Sequence, residues 1–192
     1  MTLDPSDSNI YWTDGPMGAV FRCATSGCAS ATQVGSGVYP TGVAVSSTTV
    51  YWTNSVSPSG TIAECPAGGC AGAPSTIASG QQNPSIAATD GVNVYWGADV
   101  GILACPVGGC GGAPTTLSTV APGINATQLL VEGGSLYGST GGSVVGCATG
   151  GCGGTPVTLE SYSATQQFAL DSANVYWTDG QAVTGHVYMC PR

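Results

Sequence analysis

Residues 10 to 14 read Ile10-Tyr11-Trp12-Thr13-Asp14, and nearly the same phrase returns as Val175-Tyr176-Trp177-Thr178-Asp179. Between these copies the tyrosine recurs at Tyr51, Tyr95 and Tyr137, which gives intervals of 40, 44, 42 and 39 residues. A step of about 40 residues is typical of proteins in which one supersecondary unit is repeated. The repeat therefore indicates the fold class before any other residue is considered.

The third repeat shows how one unit is built. Short apolar or β-branched runs occupy residues 85–88, 93–96, 101–105 and 114–117, and Gly, Pro, Asn and Asp lie between them. Short strands about ten residues apart with such turn residues predict an antiparallel meander. Four-stranded units of this period are typical of propeller blades, with a β-solenoid as the alternative. We predict an all-β fold, a β-propeller of four-stranded antiparallel blades, about five blades with the last one incomplete.

The repeat boundaries predict a single propeller domain over residues 1–192. Its repeats cover about 1–41, 42–83, 84–125 and 126–167, and a partial fifth repeat covers 168–192. Met1-Thr2-Leu3-Asp4 aligns with Phe168-Ala169-Leu170-Asp171, and Cys190 aligns with Cys23, so the fifth blade is expected to stop after its third strand. Three explanations stay open: an incomplete blade, a piece of a longer propeller, or a strand supplied by another copy.

The charge composition excludes whole classes of partner. The chain has two arginines, no lysine and a net charge of −8 at pH 7. Nothing can neutralise a phosphate backbone, so nucleic-acid binding is excluded, and so is an anionic membrane surface. No apolar run is long enough for a transmembrane span, which predicts no membrane insertion.

The cysteine content indicates the compartment. Nine cysteines in a chain of which 6% is charged suggest an oxidising environment. The first residues have neither a charged segment nor an apolar one, so we expect any leader to lie upstream or to have been removed. The predicted localisation is secreted or cell surface.

A pair of cysteines with a four-residue spacer follows each of the first four repeat tyrosines. They are Cys23/Cys28, Cys65/Cys70, Cys105/Cys110 and Cys147/Cys152. Zinc needs two such pairs converging on one centre, and on separate blades they cannot converge. We therefore predict four disulfides that clamp the loop between the third and fourth strands. Cys190 is left over, and it is predicted to be unpaired or linked to another chain.

The loops suggest where a ligand would bind. In propellers, sites commonly lie on the face formed by the second-to-third and fourth-to-first connections. The polar or aromatic candidates on the fourth-to-first connections are Tyr39, Gln82, Asn83, Asn125, Gln166 and Gln167. Their amides and hydroxyl suit hydrogen bonding to sugars or peptides, although the same residue types are also good turn formers. The repeated Tyr-Trp pairs are interpreted as blade-to-blade packing, with a sugar-stacking platform as the alternative.

Chemical catalysis has little support in the residue inventory. His186 is the only histidine, and no carboxylate or serine is spaced from it as in a triad. We predict no catalytic residues, no metal site and no cofactor, so the chain is not expected to be an enzyme. Calcium held by oxygen ligands at Asp14, Asp99 or Asp179 remains a possible exception. Other carboxylates, such as Asp90 before Gly91, suit turns that bond their own backbone.

The tetrapeptides Tyr11-Trp12-Thr13-Asp14 and Tyr176-Trp177-Thr178-Asp179 resemble the signature of YWTD propeller repeats, which are known from ectodomains of the low-density-lipoprotein-receptor type. Repeats two to four depart from it, beginning at Tyr51, Tyr95 and Tyr137, and the Cys-x4-Cys hairpin is an addition. This variant resembles repeats of secreted bacterial proteins of unknown role. The resemblance implies a propeller and says little about the ligand.

Three functions are compatible with these features. The first is a non-catalytic extracellular binding module for a glycan or a protein ligand, with weak repeat-related sites that add up by avidity. The second is a structural subunit that assembles with further copies of itself into a fibre or surface array through its incomplete last blade. The third is an enzyme of the propeller lyase or lactonase kind, which would need a metal and more channel-facing His, Asp or Glu.

Overall fold

The computed structural model describes residues 1–119, 128–139, 143–152, 156–161, 165–179 and 185–192. The described residues form 19 β-strands. In chain order the strands are β1 Thr2–Leu3, β2 Asn9–Asp14, β3 Ala19–Ala24, β4 Thr32–Ser36, β5 Pro40–Val45, β6 Thr49–Asn54, β7 Gly60–Pro66, β8 Ser75–Gln81, β9 Ala87–Thr89, β10 Asn93–Ala98, β11 Gly101–Pro106, β12 Thr115–Ser118, β13 Leu129–Glu132, β14 Ser135–Ser139, β15 Ser143–Ala148, β16 Val157–Ser161, β17 Thr165–Leu170, β18 Asn174–Asp179 and β19 Val187–Pro191.

The strands form five separate antiparallel sheets, taken in order along the chain. Four sheets have four strands each, β1–β4, β5–β8, β9–β12 and β13–β16, and the fifth has three, β17–β19. We call them blades 1 to 5. Every strand pairs with its sequence neighbour, as expected for meanders joined by short turns. The predicted fold class, a propeller whose fifth blade has three strands among the described residues, is confirmed.

The hydrophobic core lies between the blades. Because side chains alternate across a strand, Tyr11 and Trp12 on β2 point to opposite faces of blade 1. In the contact between blades 1 and 2, the buried side chains of Tyr11, Val20 and Val34 from blade 1 meet Trp52 of blade 2. The repeat tyrosines of blades 1 to 4 therefore face the following blade, and Trp52, Trp96 and Trp177 face the preceding one.

Three of the four tryptophans are interblade packing residues. Trp52 and Trp96 are both 0% exposed, and Trp177 packs in the corresponding cluster between blades 4 and 5. The fit is tight, since a Cβ placed on Gly35 of blade 1 would come within 2.6 Å of the Trp52 ring. The packing interpretation is confirmed for these three. Blade 4 has Gly138 at this position, and Leu129 and Leu136 fill its contact with blade 3.

The predicted cysteine pairs are disulfide bonds. Cys23–Cys28, Cys65–Cys70, Cys105–Cys110 and Cys147–Cys152 have Cα–Cα separations of 5.2 to 5.5 Å. Each closes the loop between the third and fourth strands of its blade. We call the segments 23–28, 65–70, 105–110 and 147–152 the cystine loops.

The cystine loops of blades 2 to 4 also lie against the preceding blade. The Cys70 N–H donates to the Val34 carbonyl at 3.0 Å, and the Cys152 N–H donates to the Leu117 carbonyl at 3.3 Å. Gly109 lies beside the Ile77 carbonyl, 3.4 Å from where its Cβ would be. The disulfide therefore fixes the conformation of a loop that contacts the preceding blade.

The innermost strands of blades 1 to 4 line a central space. Strands β1, β5, β9 and β13 contribute to two adjoining cavities of about 250 and 140 Å3, which we call the channel. Among the residues described, no helix has the length and apolar character to cross a membrane.

Candidate functional site

The predicted ligand residues on the loop face lie apart in successive connections. Tyr39 directly precedes β5, and Asn83 lies before β9 with residues 84–86 between them. Both residues have a positive φ, 56° for Tyr39 and 47° for Asn83. A tyrosine in this conformation is unusual. Tyr39 is 58% exposed, and its ring lies beside Gly15. The Thr41 hydroxyl donates to the Pro84 carbonyl at 3.4 Å, so the two loops are neighbours.

The remaining loop-face candidates are less informative. Gln82 and Gln167 are exposed. Asn125 lies outside the described residues, and so does the side chain of Gln166. The structure thus brings the loops of Tyr39 and Asn83 together, and the use of this face by a ligand stays a prediction.

The carboxylates considered for calcium have local partners. Asp14 accepts a hydrogen bond from the Met17 N–H at 2.9 Å, and Asp99 accepts one from the Asn83 amide at 2.7 Å. The Asp179 side chain lies outside the described part of the chain. Within that part, no three His, Cys, Asp or Glu side chains are grouped as a metal site would require. Calcium stays a prediction without a located site.

The channel lining is chemically poor. Its walls are formed by polar uncharged and apolar side chains such as Thr41, Ile86, Gln128 and Leu129. Among the described residues, no carboxylate, imidazole or thiol lines it. His186 is exposed on blade 5, where its ring lies 5.8 Å from that of Tyr188. General acid–base chemistry needs such a group within reach of a bound substrate.

A larger cleft lies at the opposite end of the blades from the loop face. It has a volume of about 550 Å3 and runs between blades 2 and 3. One wall is the β5–β6 turn with its hydroxyls, residues 46–49, and the other is the β9–β10 turn at Asp90 and Gly91. Glu64 on β7, Val107 in the cystine loop of blade 3 and Pro5 of blade 1 also line it. Sequence reasoning missed this cleft.

Glu64 is the distinctive group of the cleft. It pairs across the strands with Tyr51, so its side chain lies on the face of blade 2 that points to blade 3. The carboxylate is half-buried and has no hydrogen-bond or ion-pair partner among the described residues. Burial raises its pKa, because the charged form loses hydration without a compensating contact.

Asp90, across the cleft from Glu64, accepts several hydrogen bonds. Burial acts to raise its pKa, but hydrogen bonds from the N–H groups of Asn93 and Val92 and from the Tyr95 hydroxyl outweigh it and hold the pKa below its usual value. Burial, and then the bond to Asp90, raises the pKa of Tyr95 to about 12. Asp90 therefore fixes the shape of the wall, whereas Glu64 is free to meet a ligand.

Neither arginine lines the cleft, and both make contacts elsewhere in the fold. Arg22 donates to the Ala67 carbonyl at 3.4 Å. Arg192 pairs with Glu132 at 3.3 Å and lies over the Tyr137 ring, 5.5 Å from its centre. Its contacts join blade 5 to blade 4. The cleft is thus an acidic, hydroxyl-lined concavity.

Comparison with known proteins supports the fold alone. No protein-family model and no curated protein matches the chain. A chain of the nidogen/laminin complex superposes with a TM-score of 0.75 at 20% identity, over 92% of this chain and 70% of that one. Virginiamycin B lyase from Staphylococcus aureus gives 0.67 at 12% identity, over 92% and 60%. The WD40 β-propeller domain of Doa1 gives 0.66 at 12% identity, over 96% and 62%.

Proposed function

We propose that this chain is a non-catalytic extracellular binding module, and that it binds a protein ligand through a basic side chain placed in the cleft between blades 2 and 3. The observation that carries the proposal is Glu64, a half-buried carboxylate that has no partner among the described residues and lines the cleft of about 550 Å3. A cationic side chain would restore the interactions that burial takes from this group.

The surroundings favour a cation over the other ligand classes. The lining contains two carboxylates, Glu64 and Asp90, and neither Lys nor Arg, so an anionic ligand would be repelled. A glycan site usually adds an exposed aromatic face for stacking, and the tyrosine of this cleft, Tyr51, is buried. The net charge of −8 would also attract a basic partner over a distance.

The extracellular and the non-catalytic parts of the proposal rest on separate features. Four disulfides are expected to persist in an oxidising compartment. The non-catalytic part keeps the expectation from the residue inventory, in which His186 is the only histidine and is not spaced as in a triad. The solved structure of nidogen with laminin, a protein–protein complex, is among the similar folds.

The test compares two ligands that differ only in charge. Acetyl-Gly-Lys-Gly-amide and its norleucine analogue are titrated into the isotope-labelled chain while amide chemical shifts are followed. We expect the lysine peptide alone to shift residues 46–49 and 89–91, with a dissociation constant in the millimolar range and weakening at high salt. Glu64→Gln should weaken binding at least about fivefold, which corresponds to the loss of a charge-assisted contact.

Asp99→Asn is the matched control, because it removes one negative charge on the loop face and should leave binding unchanged. Equal shifts with the norleucine analogue would refute the role of charge. Shifts at Tyr39 and Asn83 upon titration with neutral oligosaccharides, with no response of the cleft to lysine, would replace the proposal with a glycan site on the loop face.

A further inference from the structure

One position of the repeat changes charge from blade to blade. It lies on the third strand, directly across from the repeat tyrosine, and shares the face that points to the following blade. Arg22 occupies it in blade 1 and Glu64 in blade 2, whereas blades 3 and 4 have the uncharged Ala104 and Gly146. The first two blade contacts therefore carry opposite charges at equivalent places.

The contact between blades 1 and 2 shows how a cation is held at this position. Nη1 of Arg22 donates to the Ala67 carbonyl at 3.4 Å, and the Tyr11 hydroxyl donates to the same carbonyl at 3.2 Å. Ala67 belongs to the cystine loop of blade 2. Within the chain, a guanidinium thus meets a backbone carbonyl of the following cystine loop.

The cleft between blades 2 and 3 has the same backbone arrangement. Val107 is the repeat equivalent of Ala67, since each follows a Cys-Pro pair. The Ala67 N–H donates to the Thr48 carbonyl at 2.8 Å, and the Val107 N–H donates to the Val92 carbonyl at 2.9 Å. Val107 lines the cleft together with Glu64. The cleft therefore repeats the loop that accepts a hydrogen bond from arginine, with a carboxylate in place of the guanidinium.

We propose that the basic side chain bound in the cleft is an arginine of the protein ligand, whose guanidinium donates to the Glu64 carboxylate and to the Val107 carbonyl. The inference rests on the proposed function and names the ligand side chain. A guanidinium is a planar fork of five N–H donors, so one edge pairs with a carboxylate while another N–H reaches a carbonyl. A lysine ammonium is a compact, strongly hydrated charge that suits such a pair of acceptors less well.

The other charged groups leave a place for one guanidinium. Asp90 already accepts hydrogen bonds from the N–H groups of Val92 and Asn93 and from the Tyr95 hydroxyl. Glu64 is the carboxylate of the cleft that has no partner among the described residues. Because neither arginine of the chain lines the cleft, the guanidinium comes from the ligand.

The experiment compares three peptides, acetyl-Gly-Xaa-Gly-amide with arginine, lysine or citrulline at the central position. Each is titrated into the isotope-labelled chain while amide chemical shifts are followed. We expect the arginine peptide to bind at least about fivefold more tightly than the lysine peptide, and at least about tenfold more tightly than the citrulline peptide, which has nearly the same shape without the charge. The arginine peptide should also shift the Gly108 amide, because its peptide bond contains the Val107 carbonyl.

The outcomes separate this inference from the proposed function. Equal affinities for arginine and lysine would overturn the inference and leave the function in place. Binding of neither basic peptide, or of citrulline as tightly as arginine, would overturn both. A preference for arginine without a shift at Gly108 would overturn the contact with the Val107 carbonyl. Asp99→Asn is the control, and it should keep the preference for arginine.

Placing the cation on the chain itself gives a second test that needs no ligand. Glu64→Arg introduces into blade 2 the residue type that blade 1 has, and its guanidinium should donate to the Val107 carbonyl as Arg22 donates to Ala67. Glu64→Lys is the matched control with the same charge. We expect a higher midpoint of urea unfolding for Glu64→Arg than for Glu64→Lys, and no binding of the arginine peptide by either variant. An equal or lower midpoint would overturn the equivalence of the two blade contacts.

Discussion

At the scale of single residues, the structure separates carboxylates that organise the backbone from one that does not. Asp171 repeats the arrangement of Asp90: it accepts hydrogen bonds from the N–H groups of Ala173 and Asn174 and from the Tyr176 hydroxyl. The Tyr176 bond is the main reason that the pKa of Asp171 lies below its usual value. Glu64 has no such contacts, and its charge is a cost to the folded chain.

Glu64→Gln should therefore stabilise the protein at neutral pH. The raised pKa means that ionised Glu64 is disfavoured in the fold, so this penalty is absent below the ordinary value of 4.5 and grows as pH rises through the folded pKa. Because the group is partly solvated, we expect a gain of about 0.5 kcal/mol or less at pH 7, vanishing near pH 3, by urea unfolding.

Glu132→Gln is the control for that measurement, since it breaks the pair with Arg192 and should lower the free energy of unfolding. A loss of stability with Glu64→Gln at pH 7 would show that Glu64 has a favourable contact in the fold.

Tyr95→Phe tests the turn at Asp90. Its hydroxyl donates to Asp90 at 2.8 Å from a buried ring, and its removal should lower the free energy of unfolding at pH 7 by about 1 kcal/mol. Between pH 10 and its folded pKa of about 12, the unfolded chain loses this proton while the folded chain keeps it. The advantage of the parent over Tyr95→Phe should therefore shrink as pH rises above 10 in chemical unfolding experiments.

Tyr176→Phe removes the same hydrogen bond from a more exposed tyrosine, and the loss at pH 7 should be smaller. A difference between parent and Tyr95→Phe that does not change with pH would contradict the assigned pKa.

At the scale of the blade, a cystine loop has two roles. Its disulfide limits the freedom of the unfolded chain, which for a closed loop of about six residues is worth roughly 2 kcal/mol. In blades 2 to 4 it also preserves the shape that contacts the preceding blade, as at Gly109 beside Ile77. Only the first role applies to blade 1, whose loop is exposed.

Two matched double substitutions separate these roles. Cys23→Ala with Cys28→Ala should cost about 2 kcal/mol of unfolding free energy, because the chain-entropy contribution dominates where residues 24–28 are exposed. Cys105→Ala with Cys110→Ala should cost more, because the loop contact with blade 2 and the packing of the buried Cys105 are also weakened. Equal losses in denaturant unfolding would mean that the loop contacts add nothing to stability.

At the scale of the whole molecule, the net charge sets the attraction for a basic partner. The net charge is −8 at pH 7 and the isoelectric point is about 4.1, so this attraction falls as pH is lowered. The lysine peptide should therefore bind more weakly at pH 5 than at pH 7.5 at fixed ionic strength, and added salt at pH 7.5 should act in the same direction. Titrations that follow the amide chemical shifts of residues 46–49 and 89–91 measure both.

The norleucine analogue is the control, since its side chain carries no charge. An affinity for the lysine peptide that changes neither between pH 7.5 and pH 5 nor with added salt would contradict this dependence on charge.

The sequence by itself determined the repeat and what it encodes locally. Strands and turns follow from alternation and from Gly, Pro and Asp within each unit, so the five sheets, the three strands of the last one and the partners of Cys105 and Cys147 could be predicted. The packing of Trp52 and Trp96 could also be predicted, because a residue that returns at one position of a repeat meets the same neighbours.

Only the tertiary structure decided where surfaces are concave or uncovered. The cleft joins residues 46–49, Glu64 and Asp90, which belong to two repeats, and no local pattern shows that blade packing leaves a gap between them. Trp12 and Trp177 stand in identical tetrapeptides, yet Trp177 packs against blade 4 and Trp12 lies on a surface. Burial depends on which blades surround a side chain, and that is a property of the arrangement and not of the repeat.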